Sequence, residues 1–156
     1  MVSQIKLDLT YLKMAENWAQ LSRADRMKVG CLIVKDNQII SDGYNGTPAG
    51  SHNDCEDSRG ATRREVLHAE SNAITKLAKG TNSSSGATLY TTLSPCFECS
   101  KLIVQSDIRR VVYKELYRVD EGVIFLKECG VRVEQVKKNS AKGKDRGVDW
   151  YEGTAI

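Results

Sequence analysis

The sequence predicts an α/β fold in which a mixed sheet of about five strands lies between layers of helices, an α/β/α arrangement. Three observations lead to this prediction. The chain opens on a helical pattern, continues with two β-rich runs joined by a short turn, and then alternates strand, helix, strand, helix, strand. Such alternation is typical of βαβ units with parallel strands. At 156 residues the chain is long enough to bury a core as one domain.

The opening segment is predicted to be a helix. Apolar residues from Leu7 to Leu21 recur at helical spacing on one face, which predicts a helix that lies against the sheet. Asp8 or Thr10 is the expected cap at its start, because short oxygen-bearing side chains satisfy the free backbone N–H groups of a first turn.

Two β-rich runs follow the helix. Residues 28–34 and 38–44 are separated by a polar break at residues 35–37, which predicts an antiparallel hairpin. Residues 46–66 show no clear periodicity and predict a long loop that leads directly to His68. Loops of this length inside compact domains are usually functional or disordered.

The second half predicts alternating helices and strands. In chain order they are a helix over 68–79, a strand over 88–93, a helix from 96 to about 106, a strand over 109–113, a helix over 121–129 and a strand over 131–136. Pro95 is expected at the first position of the second of these helices. No element is predicted beyond Lys137, so residues 1–136 are interpreted as the folded domain and residues 137–156 as its basic tail.

Two of these helices begin with residues that bind metal. His68 and Glu70 lie in one first turn, and Cys96 and Cys99 lie in the other. Cysteines at i and i+3 share a face of a helix, and the positive end of the helix dipole favours thiolates. One histidine and two cysteines would bind zinc and leave its fourth position open for water, as in catalytic sites. Glu70 is then predicted to move protons to and from that water.

Simpler interpretations exist for each residue. Cys96 and Cys99 could be small buried apolar residues, and His68 could be a hydrogen-bonded core histidine, but the set of four favours a metal site. A closed structural site would need a fourth protein ligand. The only candidates are Cys31, Cys55, Cys129 and His52, and none has a motif-like spacing to the others. His52 and Cys55 could begin a second metal site, although two ligands are too few for one.

Charge and composition narrow the class of ligand. The net charge is +3, and the basic excess is concentrated in residues 137–146. A protein that tracks nucleic acid is expected to carry a broad basic stripe, so a small-molecule substrate is favoured, with a nucleic-acid-binding or editing protein as the alternative. No stretch is apolar over the ~20 residues of a membrane span. The N-terminus lacks a signal-peptide core, and the five cysteines fit a reduced setting, so a cytoplasmic protein is predicted.

Four segments resemble the deoxycytidylate (dCMP) deaminases of the cytidine deaminase superfamily. They are Val29-Gly30-Cys31-Leu32-Ile33-Val34, Gly43-Tyr44-Asn45-Gly46-Thr47-Pro48, His68-Ala69-Glu70-Ser71-Asn72-Ala73-Ile74 and Ser94-Pro95-Cys96-Phe97-Glu98-Cys99. Histidine-x-glutamate followed by Pro-Cys-x-x-Cys is the signature of zinc-dependent base deaminases. The resemblance extends from the first helix to about Val136, and its Gly-Tyr-Asn-Gly-Thr-Pro turn is more similar to the nucleotide branch than to tRNA adenosine deaminases. It implies the three-layer cytidine deaminase-like fold.

The resemblance also implies an activity. The implied reaction is hydrolysis of dCMP to dUMP and ammonia, with Glu70 passing protons from water to the cytosine ring and the leaving amine. One zinc ion per chain is expected, because residues 51–65 lack the extra histidine and cysteine set with which many members bind a structural zinc. A homo-oligomer and the effectors dCTP and dTTP are further implications. Deamination of dCTP, cytidine, a modified dCMP or a nucleic-acid base stays open.

Sugar and phosphate contacts follow from the same resemblance. Asn45 lies where the family's turn contacts the deoxyribose, and its amide can both donate and accept. Arg26, Tyr117 and Arg118 lie where related enzymes bind phosphate, which the planar guanidinium fork matches. An ordinary solvated side chain is the alternative for each arginine. The remaining implied substrate contacts are Ala69 and Ser94.

Overall fold

The computed structural model describes residues 1–138 and 151–155, with side chains described for residues 1–137. The helices are α1 (Gln4–Ala19), α2 (Ala69–Lys76), α3 (Phe97–Gln105) and α4 (Glu121–Glu128), and a short 3₁₀ turn (Leu77–Lys79) follows α2. The strands are β1 (Gly30–Lys35), β2 (Gln38–Tyr44), β3 (Thr88–Leu93), β4 (Arg110–Glu115), β5 (Arg132–Lys138) and β6 (Tyr151–Ala155). These bounds differ from the predicted ones by a few residues at the ends of elements.

The predicted mixed sheet is confirmed, with the strand order β2-β1-β3-β4-β5-β6. β1 and β2 form the antiparallel hairpin, and its turn residues Asp36 and Asn37 have φ values of 50° and 59°. Positive φ at both turn residues is the signature of a type I′ turn. β1 also pairs antiparallel with β3, whereas β3, β4 and β5 are parallel. β6 pairs antiparallel with β5 and comes from the segment for which the sequence predicted no element.

Helices cover both faces of the sheet, which confirms the three-layer α/β/α arrangement. Along β1, Leu32 and Val34 pack in the core beneath α1, whereas Cys31 and Ile33 pack in the core beneath α2, α3 and α4. This alternation is the two-residue period of a strand buried on both faces. The helices that begin with the candidate metal ligands therefore share one face of the sheet.

The predicted cap of the first helix was wrong. α1 begins at Gln4, and its cap is Ser3, whose hydroxyl accepts a hydrogen bond from the Lys6 backbone N–H at 3.4 Å. Thr10 lies inside the helix and donates to the Lys6 carbonyl at 2.7 Å. Asp8 also lies inside the helix. It does not cap the helix, because its carboxylate accepts hydrogen bonds from Arg110 of the sheet.

Asp8 joins α1 to the sheet through a buried ion pair. Its two oxygens accept from the Arg110 guanidinium at 2.6 and 2.9 Å, and Oδ1 accepts from the Tyr90 hydroxyl at 2.6 Å. Arg110 also pairs with Glu134. Burial raises the pKa of Asp8, but hydrogen bonds from Arg110, Tyr90 and Gln4 outweigh that effect and hold this pKa below its usual value.

The predicted long loop is present, and part of it is an ordered turn. Asp57 N–H donates to the Ala61 carbonyl at 2.8 Å, and Asp57 Oδ1 accepts from the backbone of Arg59 and Ala61. Arg63 N–H donates to the Cys55 carbonyl at 2.8 Å. Residues 55–63 of this loop are therefore joined to one another by hydrogen bonds.

Two observations concern the rest of the chain. Across the described ranges, no helix combines the length and the apolar character that crossing a membrane requires. Most of the basic run at residues 137–146, together with Trp150, lies outside the described residues. The division of the chain at residue 136 stays a prediction.

Candidate active site

The start of α2 is pressed against the sheet at Gly43. A Cβ at this position of β2 would overlap the Ala69 carbonyl oxygen and lie 2.7 Å from the Ala73 backbone nitrogen. Only glycine allows this approach. His68 is the N-cap of α2, with extended φ and ψ of −70° and 157°, so its ring projects from the helix end toward the start of α3.

The predicted ligand atoms of His68, Cys96 and Cys99 lie close together. His68 Nδ1 lies 3.4 Å from the Sγ atoms of both Cys96 and Cys99, and the three ligand atoms lie within 4.8 Å of one another. Zinc bonds of about 2.3 Å to sulfur and 2.0–2.1 Å to nitrogen, at tetrahedral angles, separate N from S by about 3.6 Å. The three side chains therefore fit a tetrahedral zinc ion, with Nδ1 as the nitrogen ligand.

The expected position of Pro95 was wrong. Cys96 has extended φ and ψ of −70° and 168° and is the N-cap of α3, because its sulfur accepts from the Cys99 backbone N–H at 3.5 Å. The first helical residue is therefore Phe97, and Pro95 lies before the cap. This places one candidate ligand at the cap and the other, Cys99, in the first turn, on the same side.

Electrostatics at the cluster favour a thiolate. Hydrogen bonds from the Cys99 thiol and the Cys99 backbone N–H, together with the contact to the His68 ring, lower the pKa of the Cys96 thiol against the opposing effect of burial. The hydrogen bond to Cys96 likewise raises the pKa of His68. The hydrogen bond to Cys96 and burial raise the pKa of the Cys99 thiol, so the metal-free pair favours one thiolate, at Cys96. Thiolate is the form of cysteine that binds zinc.

Glu70 lies in the first turn of α2 and is almost wholly buried, at 4% exposure. Burial raises the pKa of its carboxyl group, while its own backbone N–H and the charge on His68 oppose that rise. Burial is one of the ways in which enzymes raise the pKa of a carboxyl group that transfers protons. Glu70 also lines the cavity described next.

A cavity of about 470 Å³ opens beside the cluster. Its walls come from the ends of β3 and β4, the start of α2, the segment before β1 and the loop at residues 55–66. The predicted site residues that line it are Arg26, Asn45, His68, Ala69, Glu70, Ser94, Cys96, Tyr117 and Arg118. Cys99 does not line the cavity and is buried behind the other two ligands.

Asn45 uses both ends of its amide to hold the cavity wall. Its Oδ1 accepts from the Val29 backbone N–H at 2.8 Å, and its Nδ2 donates to the Met27 carbonyl at 2.8 Å. Each end keeps one further hydrogen-bonding position. The contact with a sugar hydroxyl stays a prediction.

Ser94 fixes the segment after β4 in a similar way. Its buried hydroxyl accepts from the Tyr117 backbone N–H at 2.7 Å. The Arg118 guanidinium lies 5.6 Å from the centre of the Tyr117 ring. Ser94 therefore holds the backbone of Tyr117, one of the three residues predicted to contact phosphate.

Two arginines, Arg26 and Arg118, line the cavity. Throughout residues 1–137, no ion pair involves the guanidinium of Arg26 or Arg118. Glu56 and Glu115 also line the cavity and were not predicted. Glu56 has no fixed spacing to a motif, and Glu115 lies beyond the predicted end of its strand, so neither carried a usable sequence signal.

The residues considered for a second metal site do not form a cluster of three ligands in the described part of the chain. His52 Nε2 lies 3.6 Å from Glu65 Oε1. Cys55 is buried at 2% exposure. One zinc ion per chain stays a prediction.

Comparisons with known proteins agree on one family. Residues 5–115 match the family model described as the cytidine and deoxycytidylate deaminase zinc-binding region. The chain is 38% identical over 138 residues to a deoxycytidylate deaminase of Saccharomyces cerevisiae, and the match covers 82% of this chain and 44% of the yeast protein. It is 42% identical over 120 residues to the deoxycytidylate deaminase of Mycobacterium phage D29, covering 68% of this chain and 92% of the phage protein.

A solved structure shows the same fold. The crystal structure of the dCMP deaminase from cyanophage S-TIM5, in complex with dCMP and dUMP, superposes with a TM-score of 0.83 at 43% identity. The match covers 86% of this chain and 99% of that chain. The His68, Cys96 and Cys99 cluster is therefore found in a fold and a sequence that both match zinc-binding deaminases. This chain belongs to the cytidine and deoxycytidylate deaminase family.

Proposed function

We propose that this chain catalyses the hydrolytic deamination of dCMP to dUMP and ammonia. The observation that carries the proposal is one cavity that holds Glu70 and His68 together with two guanidinium groups that have no ion pair among the described side chains, Arg26 and Arg118. A candidate proton-transfer group that shares a cavity with groups able to match a phosphate supports a nucleotide substrate. The names of the yeast and phage relatives support the same substrate.

His68, Cys96 and Cys99 would hold zinc. Bound zinc lowers the pKa of a coordinated water from 15.7 to about 7. Glu70 takes a proton from the attacking water and delivers it to N3 of the pyrimidine ring. The remaining hydroxyl bonds to C4. Glu70 then takes the proton of this C4 hydroxyl and delivers it to the amino group, the C4–N bond breaks, ammonia leaves and C4 becomes a carbonyl.

Substrate recognition is assigned to the walls of the cavity. Arg26 and Arg118 bind the 5′-phosphate, and the remaining hydrogen-bonding positions of Asn45 bind the sugar. Ala69 lines the cavity beside Glu70, and Ser94 orients Tyr117. A volume of about 470 Å³ lies within the range of roughly 300–1,000 Å³ of small-molecule pockets.

The proposal also includes four further features of this protein. They are one zinc ion per chain, assembly as a homo-oligomer, regulation by dCTP and dTTP, and a cytoplasmic location. Their support is the resemblance to the family and, for the zinc, the single cluster of three ligands in the described residues.

The test is release of ammonia from dCMP, dCTP and cytidine, measured side by side on the zinc-loaded protein. We expect the highest kcat/KM with dCMP, because cytidine lacks the anion and dCTP carries additional charge. Equal or greater kcat/KM with dCTP or cytidine would overturn the assignment of dCMP.

The role of Arg26 is tested with the Arg26→Ala variant. We expect a large rise in KM for dCMP and little change in KM for cytidine, because only dCMP carries a phosphate that Arg26 can bind. Equal effects on both substrates would remove the phosphate role.

A further inference from the structure

We infer that Glu56 is a positioning residue that sets the preference for a phosphorylated substrate by holding the backbone of Arg26. The inference rests on the proposed function, since it presumes that Arg26 meets the phosphate. Glu56 lies in the loop before α2, thirty residues away from Arg26 in the chain. Both residues line the same cavity.

The contact between Glu56 and the arginine segment is made to the backbone. Glu56 Oε1 accepts from the Asp25 N–H at 3.0 Å and from the Arg26 N–H at 3.3 Å. These two N–H groups belong to the irregular segment between α1 and β1. A carboxylate that accepts two backbone N–H groups forms charge-assisted hydrogen bonds, which are stronger than neutral ones.

Glu56 is itself held in place. The Arg63 side chain donates from Nε to the Glu56 carbonyl at 3.1 Å, and Glu56 forms an isolated β-bridge with Thr62. The next residue, Asp57, begins the self-bonded turn described above. The carboxylate is therefore presented from an ordered turn and can act as a fixed anchor.

The other side of the same segment is held by Asn45. Its amide bonds to the Met27 carbonyl and to the Val29 N–H, both at 2.8 Å. Glu56 thus holds the backbone of residues 25 and 26, and Asn45 holds the backbone of residues 27 and 29. Such pre-organisation lowers the entropy lost when a side chain binds its ligand.

The charge of Glu56 would by itself oppose a phosphate in the same cavity. The side chains described show no ion pair between Glu56 and the Arg26 guanidinium, so the guanidinium is not consumed by this carboxylate. Its two backbone hydrogen bonds offer a reason for a negative group at this place. If Glu56 anchors the Arg26 backbone, removing its carboxylate should lower the preference for a phosphorylated substrate. If Glu56 only repels phosphate, removing its carboxylate should raise that preference.

The experiment measures phosphate preference, defined as kcat/KM for dCMP divided by kcat/KM for deoxycytidine, and the matching ratio of Kd values for dUMP and deoxyuridine. The variants are Glu56→Ala, Glu56→Gln, Arg26→Ala and the double variant Glu56→Ala/Arg26→Ala. Asp54→Ala, which removes an exposed carboxylate from the same loop, is the matched control. Thermal unfolding and zinc content check that each variant is folded.

We expect Glu56→Ala to lower the phosphate preference about tenfold, the size of one or two lost hydrogen bonds. Glu56→Gln keeps an acceptor oxygen and stays within about threefold of wild type, and Asp54→Ala is unchanged. In the Arg26→Ala background the second substitution has no further effect, because a residue that acts through Arg26 has nothing left to position.

Two results would overturn the inference while leaving the proposed function in place. One is an equal loss of activity on dCMP and deoxycytidine in Glu56→Ala. The other is an unchanged or increased phosphate preference. An increase would mean that the Glu56 carboxylate repels the phosphate and does not position Arg26, and no change would mean that it has no effect on the preference. Failure of the wild-type protein to deaminate dCMP would overturn the proposed function itself and the inference with it.

Discussion

Gly122 of α4 lies directly against Pro95, the residue before the N-cap of α3. A Cβ at position 122 would overlap the Pro95 carbonyl oxygen and lie 2.8 Å from the Ser100 hydroxyl. Cys96 immediately follows Pro95, so the turn that carries this candidate ligand is held by a contact between two helices. Gly122 thus packs against the turn that carries a candidate ligand without being a candidate ligand itself.

The first prediction concerns Gly122→Ala. The added methyl group must push α4 away from the Pro95 turn or move that turn, at a cost of about 1–3 kcal/mol of unfolding free energy. We expect a lower melting temperature and weaker zinc retention during dialysis against a chelator. Gly80→Ala is the matched control, because a Cβ there meets nothing within 4 Å and Gly80 has an extended φ of −132°. Equal effects of the two substitutions would contradict this account.

The second prediction concerns the candidate ligands. Cys96→Ser and Cys99→Ser each remove a thiolate, so we expect metal analysis to find less than one zinc ion per chain after purification, and deamination to fall with it. Cys129→Ser is the control, since Cys129 is exposed and lies at the end of α4. Wild type and this control should hold one zinc ion per chain. Two ions in wild type would show a second site.

The third prediction concerns pH and the buried pair of Asp8 with Arg110. The folded-state pKa of Asp8 lies below its usual value of 3.8, so its contribution to stability is present above that value and is lost as pH falls through the lower, folded pKa. Asp8→Asn should cost about 3 kcal/mol at pH 7, because it leaves Arg110 without this partner in the interior. The difference in unfolding free energy between wild type and variant should shrink below pH 3.8.

The groups that face Asp8 belong to several elements. Arg110 and Tyr90 approach from the sheet, Gln4 approaches from α1, and Glu134 shares Arg110. The comparison with Asp8→Asn cancels the titration of groups common to both proteins. A difference that stays constant from pH 7 to pH 3 would show that Asp8 does not titrate in this range.

The sequence predicted the elements best where the evidence was local. The turn after β1, the start of α2 and the pairing of Cys96 with Cys99 depend on residues within a few positions of one another, so spacing alone indicates them. The resemblance to a family added the cavity residues such as Arg26 and Ser94, all of which line one cavity.

The errors and omissions arose from contacts between distant parts of the chain. Asp8 looked like a helix cap, but its partner Arg110 lies 102 residues away in the sequence. Pro95 was expected at the first helical position because proline suits that position. The sequence did not indicate that the Cys96 sulfur accepts from the Cys99 backbone N–H and makes Cys96 the N-cap. Glu56 was missed because a carboxylate in an aperiodic loop has no pattern that indicates which backbone it will meet.

The most direct test of the account is the Glu70→Gln variant. It keeps the size and hydrogen-bonding shape of the side chain and removes its ability to accept a proton. Removal of a positioned acid or base typically costs about 10²–10⁴-fold in rate, so we expect kcat for dCMP to fall by that factor. Zinc content and the Kd for dUMP should stay at their wild-type values. A Glu70→Gln protein that binds zinc and deaminates dCMP at the wild-type rate would contradict the central claim.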